Sequence, residues 1–138
     1  MNQKLKNVLL ILIIYVVSIF LAVILAPLGG ALHNYFWASQ GCWFWGPCGQ
    51  AGVVEGFIYF YIFVLAIFSF SLLKQKTVWL VYIIGTILFW VGSVLIIATE
   101  NLKYLKNEDI GNLIIMVCFF VAGWLLAQGG LMVYKKLR

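Results

Sequence analysis

Four long apolar segments constrain what this chain can fold into. They cover residues 8–32, 53–73, 78–99 and 110–134, and none of them contains Lys, Arg or Asp. Each reaches the roughly 20 residues that an α-helix needs to cross a hydrocarbon core about 30 Å thick. A backbone that faces lipid must satisfy its hydrogen bonds internally, so helices are expected in all four segments. The sequence therefore predicts an all-α, polytopic membrane protein with four transmembrane helices.

Composition points in the same direction. The chain is 65% hydrophobic and only 9% charged, whereas soluble domains carry about 25% charged residues. With 138 residues there is room for one domain, so residues 1–138 are expected to form a single transmembrane domain. The net charge of +5 sits in short clusters beside the apolar segments and not in a basic stripe, which argues against a nucleic-acid partner. The expected partner is the lipid bilayer.

The distribution of basic residues predicts the orientation. Seven of the nine lie before the first segment, between the second and third, or at the end of the chain: Lys4, Lys6, Lys74, Lys76, Lys135, Lys136 and Arg138. The remaining two, Lys103 and Lys106, share the opposite side with all four acidic residues. Basic clusters stay cytoplasmic. We therefore expect an antiparallel N-in/C-in bundle in a plasma-type membrane, with external loops at about 32–52 and 100–109.

Small residues indicate where these helices pack. In lipid, close approach of two helix backbones depends on such residues. They recur at helical spacing on three predicted helices: Ser18, Ala22, Ala26 and Gly30; Gly85 and Gly92; and Gly123, Ala127 and Gly130. We interpret them as seams within the bundle, and a homo-oligomer or a larger membrane complex remains the alternative. Pro27 predicts a kink or an end of the first helix, because proline removes one helical hydrogen bond.

The long external loop holds the most unusual chemistry. Its six aromatic residues include Trp43 and Trp45, which suit the headgroup level of a bilayer and are candidate binding residues. Cys42 and Cys48 flank a Gly46-Pro47 turn, so a structural disulfide is predicted on the oxidising side of the membrane. The alternative is a redox-active dithiol, which would make the chain a membrane thiol–disulfide oxidoreductase.

His33 and Glu55 form a second candidate site. They are the one histidine and the one acidic residue near the outer ends of the first two helices, and together they suggest a ligand-binding or proton-linked pair. Interfacial solvation of two separate side chains explains them as well. A metal site is not expected, because one His, one Glu and a bridged cysteine pair leave too few ligands.

The expected function follows from what is present and what is missing. No mid-membrane ionisable residue, phosphate loop or nucleophile motif occurs in the sequence, which disfavours pumps and hydrolases. We expect no cofactor and no catalytic residue. The favoured hypothesis is a non-enzymatic accessory subunit or lipid-handling component that acts through its helix seams and external loop. The alternative is the oxidoreductase that uses Cys42 and Cys48.

Overall fold

The described part of the chain folds into four α-helices. A computed structural model describes residues 3–37, 49–98 and 107–137, and within these ranges there is no strand. The helices are α1 (Gln3–Trp37), α2 (Gly49–Leu72), α3 (Gln75–Ala98) and α4 (Asn107–Lys136). The predicted all-α class with four helices is confirmed.

Three helices contain described stretches that are long and apolar enough to cross a membrane. These are Gln3–Leu32, Glu55–Leu72 and Leu113–Lys136. In α3 the described apolar stretch, Gln75–Phe89, is shorter. Many large apolar side chains of α1, α3 and α4 are exposed. Such a surface is compatible with lipid and would promote aggregation in water.

The helices extend beyond the apolar segments that predict them. α1 runs through Pro27 and ends only at Trp37, so the helix does not end at the proline as one reading of the sequence allowed. Proline removes a single hydrogen bond, and the backbone on either side of Pro27 is held against α2 at Ala26 and Gly29. Residues 33–37 and 49–52, expected in the external loop, are helical.

α2 is the central helix. It packs along α1 and, less extensively, along α4, while it meets α3 at only a few residues. Its buried residues are Gly56, Tyr59, Val64, Leu65, Ala66 and Ser69. The turn to α3 is short, because the Lys74 carbonyl already accepts hydrogen bonds from the backbone amides of Thr77 and Val78, at 2.9 and 3.0 Å.

Aromatic side chains hold α4 against α2 and α3. The ring of Phe119 lies 5.5 Å from that of Tyr59, 5.4 Å from Phe60 and 6.0 Å from Phe63, measured between centroids. Further along the bundle, Phe120 lies 5.0 Å from Tyr82 and 6.0 Å from Phe70. Such pairs contribute about 0.5–1.5 kcal/mol each beyond their burial. The aromatic residues of α2 therefore join three helices.

Candidate functional site

The small residues of α1, which we call its small-residue stripe, are buried. Ser18 and Ala22 are 0% exposed and Ala26 is 4% exposed, and Gly30 is buried. With residues this small on one helix, the backbone of α2 can approach closely.

The closest approach joins Gly29 of α1 to Gly56 of α2. A Cβ atom on Gly29 would lie 2.5 Å from the Gly56 Cα and 2.7 Å from the Gly56 carbonyl oxygen. A Cβ on Gly56 would collide with the Ala26 carbonyl oxygen and the Gly30 amide nitrogen. The backbones of α1 and α2 are therefore in direct contact at Gly56, with no room for a side chain. The predicted stripe included neither Gly29 nor Gly56.

The predicted small residues of α3 have one described contact. A Cβ on Gly85 would lie 3.0 Å from the Tyr15 hydroxyl of α1. That hydroxyl donates a hydrogen bond of 2.9 Å to the Val81 carbonyl, one turn earlier on α3. Gly92 lies in the helix, but its surroundings are outside the described part of the chain.

Of the small residues of α4, some are packed or buried and others have no neighbour close to them. A Cβ on Gly123 would lie 2.6 Å from the Phe63 carbonyl oxygen and 2.8 Å from the Ala66 Cβ, and Ala127 is 3% exposed. A Cβ on Gly130 would meet nothing within 4 Å, although Gly130 follows Gly123 by two helical turns on the same side. Gly129 is equally open.

A second set of small residues on α4 faces away from α2. Cys118, Ala122 and Gly129 follow one another at spacings of four and seven, which places them on one side of a helix. All three are exposed. We call this set the open face of α4.

Several hydroxyl groups are buried between the helices. The side-chain oxygens of Ser18, Ser69 and Tyr82 are inaccessible and have no hydrogen-bond partner among the described residues. Buried hydroxyls without partners cost roughly 1–3 kcal/mol each, so these three side chains are expected to lower the stability of the fold.

Glu55 lies beside the α1–α2 crossing. It directly precedes Gly56 and is half-buried, and its Oε2 atom is inaccessible and lacks a hydrogen-bond partner among the described residues. Tyr59 follows one turn further along α2 and is fully buried.

The remaining candidate residues lie outside the described part of the chain. His33 is within α1, but its side chain is not described, so its pairing with Glu55 stays a prediction. Cys42, Trp43, Trp45 and Cys48 fall in residues 38–48, outside the described ranges. In the described part of the chain Cys118 is a free cysteine, and no cluster of three potential metal ligands occurs there. The disulfide therefore receives no support from the structure.

Comparison with known proteins assigns no family to the chain. No protein-family model, no curated protein and no solved structure matches it. Two features of the chain's own geometry therefore define the candidate sites: the open face of α4, and the partly buried carboxylate of Glu55.

Proposed function

We propose that the chain is a non-enzymatic integral membrane protein that serves as a subunit of a membrane complex, docking another transmembrane helix on the open face of α4. The apolar spans and the exposed apolar side chains support insertion into a bilayer. The basic clusters support four antiparallel crossings with both ends in the cytoplasm.

The observation that carries this proposal is the contrast between the two small-residue faces of α4. Gly123 packs against α2 and Ala127 is buried, whereas Cys118, Ala122 and Gly129 are exposed. Glycine destabilises a helix interior by about 1 kcal/mol relative to alanine. In lipid, small residues are favoured where another helix approaches closely. The open face of α4 has the composition of a helix-packing seam, and it has no partner among the described residues of its own chain.

The simplest partner is a second copy of the chain. In a two-fold symmetric dimer each surface meets its own copy. Because both α4 helices would cross the bilayer in the same direction, Cys118 of one copy would face Cys118 of the other. A helix of a different membrane protein is the second possibility.

The external aromatic segment has a supporting role in this proposal. Trp43 and Trp45 would anchor the outer end of the bundle at the headgroup level. A disulfide between Cys42 and Cys48 would close that segment and limit its conformations.

Cross-linking in native membranes tests the proposal. Mild oxidation should link two copies through Cys118, and Cys118→Ser should abolish that product, which separates it from any link through Cys42 or Cys48. The double variant Ala122→Leu, Gly129→Leu should reduce the linked product about tenfold, by analogy with an overpacking loss of at least ~1.4 kcal/mol. Val117→Phe adds bulk to an exposed position on the other side of α4 and should leave the product unchanged.

Mass spectrometry of the complex purified in mild detergent covers the second possibility. A different membrane chain should then be retained by the wild type and by Val117→Phe, and lost from the Ala122, Gly129 double variant. A protein that is strictly monomeric, gives no Cys118 product and retains no membrane chain would overturn the subunit proposal.

A further inference from the structure

The packing of α4 against α2 stops where α2 ends. The two helices run in the same direction, because their ring contacts and the contact of Ala66 with Gly123 follow the same order along both. Leu72 ends α2 six residues after Ala66, and Gly130 follows Gly123 by seven, so Leu72 and Gly130 lie at about the same level. A Cβ on Gly130 meets no described atom within 4 Å, and Leu72 is 54% exposed. A gap therefore opens between α4 and the end of α2, beside Gly130.

Lysines lie on both sides of this gap. Lys74 belongs to the turn after α2 and Lys76 to the first turn of α3. Lys135 and Lys136 belong to the last turn of α4, about 8 Å beyond Gly130 along the helix axis. All four side chains are exposed. Because a lysine carries its charge on a flexible stem, ammonium groups from the two sides can approach one anion at the mouth of the gap.

The sequence supplies no acidic residue near these lysines. One of the four acids of the chain is Glu55, beside the crossing with the outer part of α1, and the other three lie in sequence between the end of α3 and the first turns of α4: Glu100, Glu108 and Asp109. Like charges without a counter-charge repel one another. In the orientation of the proposed function, on which this inference rests, the lysines face the cytoplasm, where anionic lipids carry the opposite charge.

We propose that the gap beside Gly130 binds an anionic phospholipid of the cytoplasmic leaflet, of the phosphatidylglycerol type. Its phosphate lies among the four lysines, and one acyl chain lies against Leu72 and Gly130. The apolar surface directly below the lysines favours a lipid over a soluble anion. A choline lipid carries the same phosphate, but its ammonium group cancels the charge and is repelled by the lysines.

A comparison of two lipids on the wild-type protein tests the need for a negative headgroup. The delipidated protein would be titrated with phosphatidylglycerol and with phosphatidylcholine of identical acyl chains, and bound lipid measured by native mass spectrometry. Phosphatidylglycerol should bind about tenfold more tightly or better, because each lysine contributes roughly fivefold at an anionic lipid surface. The difference should shrink as ionic strength rises, since exposed charges are screened. Equal binding of the two lipids would overturn the proposal.

A soluble competitor distinguishes a lipid site from a simple anion site. Glycerol phosphate presents a phosphate without an acyl chain, so it should leave phosphatidylglycerol bound when the two are present at equal concentration. Displacement under these conditions would overturn the assignment to a lipid.

Two double variants with the same loss of charge locate the phosphate. Lys74→Gln, Lys135→Gln removes one lysine from each side of the gap and should lower the affinity for phosphatidylglycerol about tenfold or more. Lys4→Gln, Lys6→Gln is the control, because α1 packs along α2 and not along α4. An equal loss in both double variants would show a diffuse attraction to the basic end of the bundle and would overturn the site.

Two glycines of α4 locate the acyl chain without any change of charge. A larger side chain has room at Gly129 and at Gly130. Gly130→Leu fills the gap and should weaken binding of phosphatidylglycerol, while cross-linking through Cys118 continues. Gly129→Leu lies on the open face of α4 and should have the reverse effect. Unchanged lipid binding in Gly130→Leu would overturn the gap as the site, and Cys118 cross-linking on the same variants reports separately on the subunit proposal.

Discussion

Gly29 of α1 and Gly56 of α2 are in direct backbone contact, since a Cβ on Gly29 would lie 2.5 Å from the Gly56 Cα. Neither glycine can carry a side chain unless a helix shifts, because the atoms around each of them belong to the backbone and not to flexible side chains. The contact therefore fixes how α1 and α2 cross, and it holds Glu55 at the edge of that crossing.

Alanine at either glycine should destabilise the protein. We expect Gly29→Ala and Gly56→Ala each to lower the free energy of unfolding by about 1–3 kcal/mol, the usual range for overpacking. Unfolding in mixed detergent and SDS micelles, followed by tryptophan fluorescence, measures the loss. Gly130→Ala is the matched control, because a Cβ there meets nothing within 4 Å, and it should be neutral or slightly stabilising. Equal stability of Gly56→Ala and Gly130→Ala would rule out the close crossing.

Removing the hydroxyl of Tyr15 and removing that of Tyr82 should affect stability differently. The Tyr15 hydroxyl bonds to the Val81 carbonyl at 2.9 Å, so Tyr15→Phe should lower the free energy of unfolding by about 1 kcal/mol. The Tyr82 hydroxyl is buried without a hydrogen-bond partner among the described residues, so Tyr82→Phe should leave stability unchanged or raise it. The same unfolding assay compares the two. A loss in Tyr82→Phe as large as that in Tyr15→Phe would mean that the Tyr82 hydroxyl has a partner, such as an internal water.

The predicted disulfide between Cys42 and Cys48 can be tested by counting free thiols. In the denatured, unreduced protein a maleimide should modify Cys118 alone, and after reduction it should modify all three cysteines. Cys42→Ser should also lower stability if the bridge is structural. Three reactive thiols before reduction would exclude the bridge. Rapid exchange with a small thiol, together with an intact fold in Cys42→Ser, would instead favour the oxidoreductase hypothesis.

Segment length and residue spacing predict part of this architecture from the sequence. Four apolar segments predict four helices because the length of such a segment is a local property. The spacing of Ser18, Ala22 and Ala26 likewise places them on one side of α1. The partner of that side is not a local property: Gly56 is surrounded in sequence by large residues, and only the rotation of α2 brings it opposite Gly29.

Gly130 of α4 is a second residue whose packing could not be predicted from the sequence alone. Gly130 shares a helix side with Gly123 and was predicted to pack with it, but only Gly123 meets an opposing helix. The α2 residues that pack against Gly123 are Phe63 and Ala66. They lie in the last turns of α2, which ends at Leu72. A repeat in one helix carries no information about where its neighbour ends. The partial burial of Glu55 could not be predicted from the sequence for a related reason, because it depends on how α1 crosses α2.

The central claim is that the chain crosses the membrane four times with both ends in the cytoplasm. The test starts from a variant in which all three native cysteines are replaced by serine. Single cysteines are then introduced into it, and intact cells are treated with a membrane-impermeant maleimide. Gln40→Cys and Asn101→Cys should be labelled from outside, whereas Asn2→Cys, Gln75→Cys and Leu137→Cys should react only after permeabilisation. Labelling of residue 2 or 137 in intact cells, or protection of residue 40 or 101, would contradict the account.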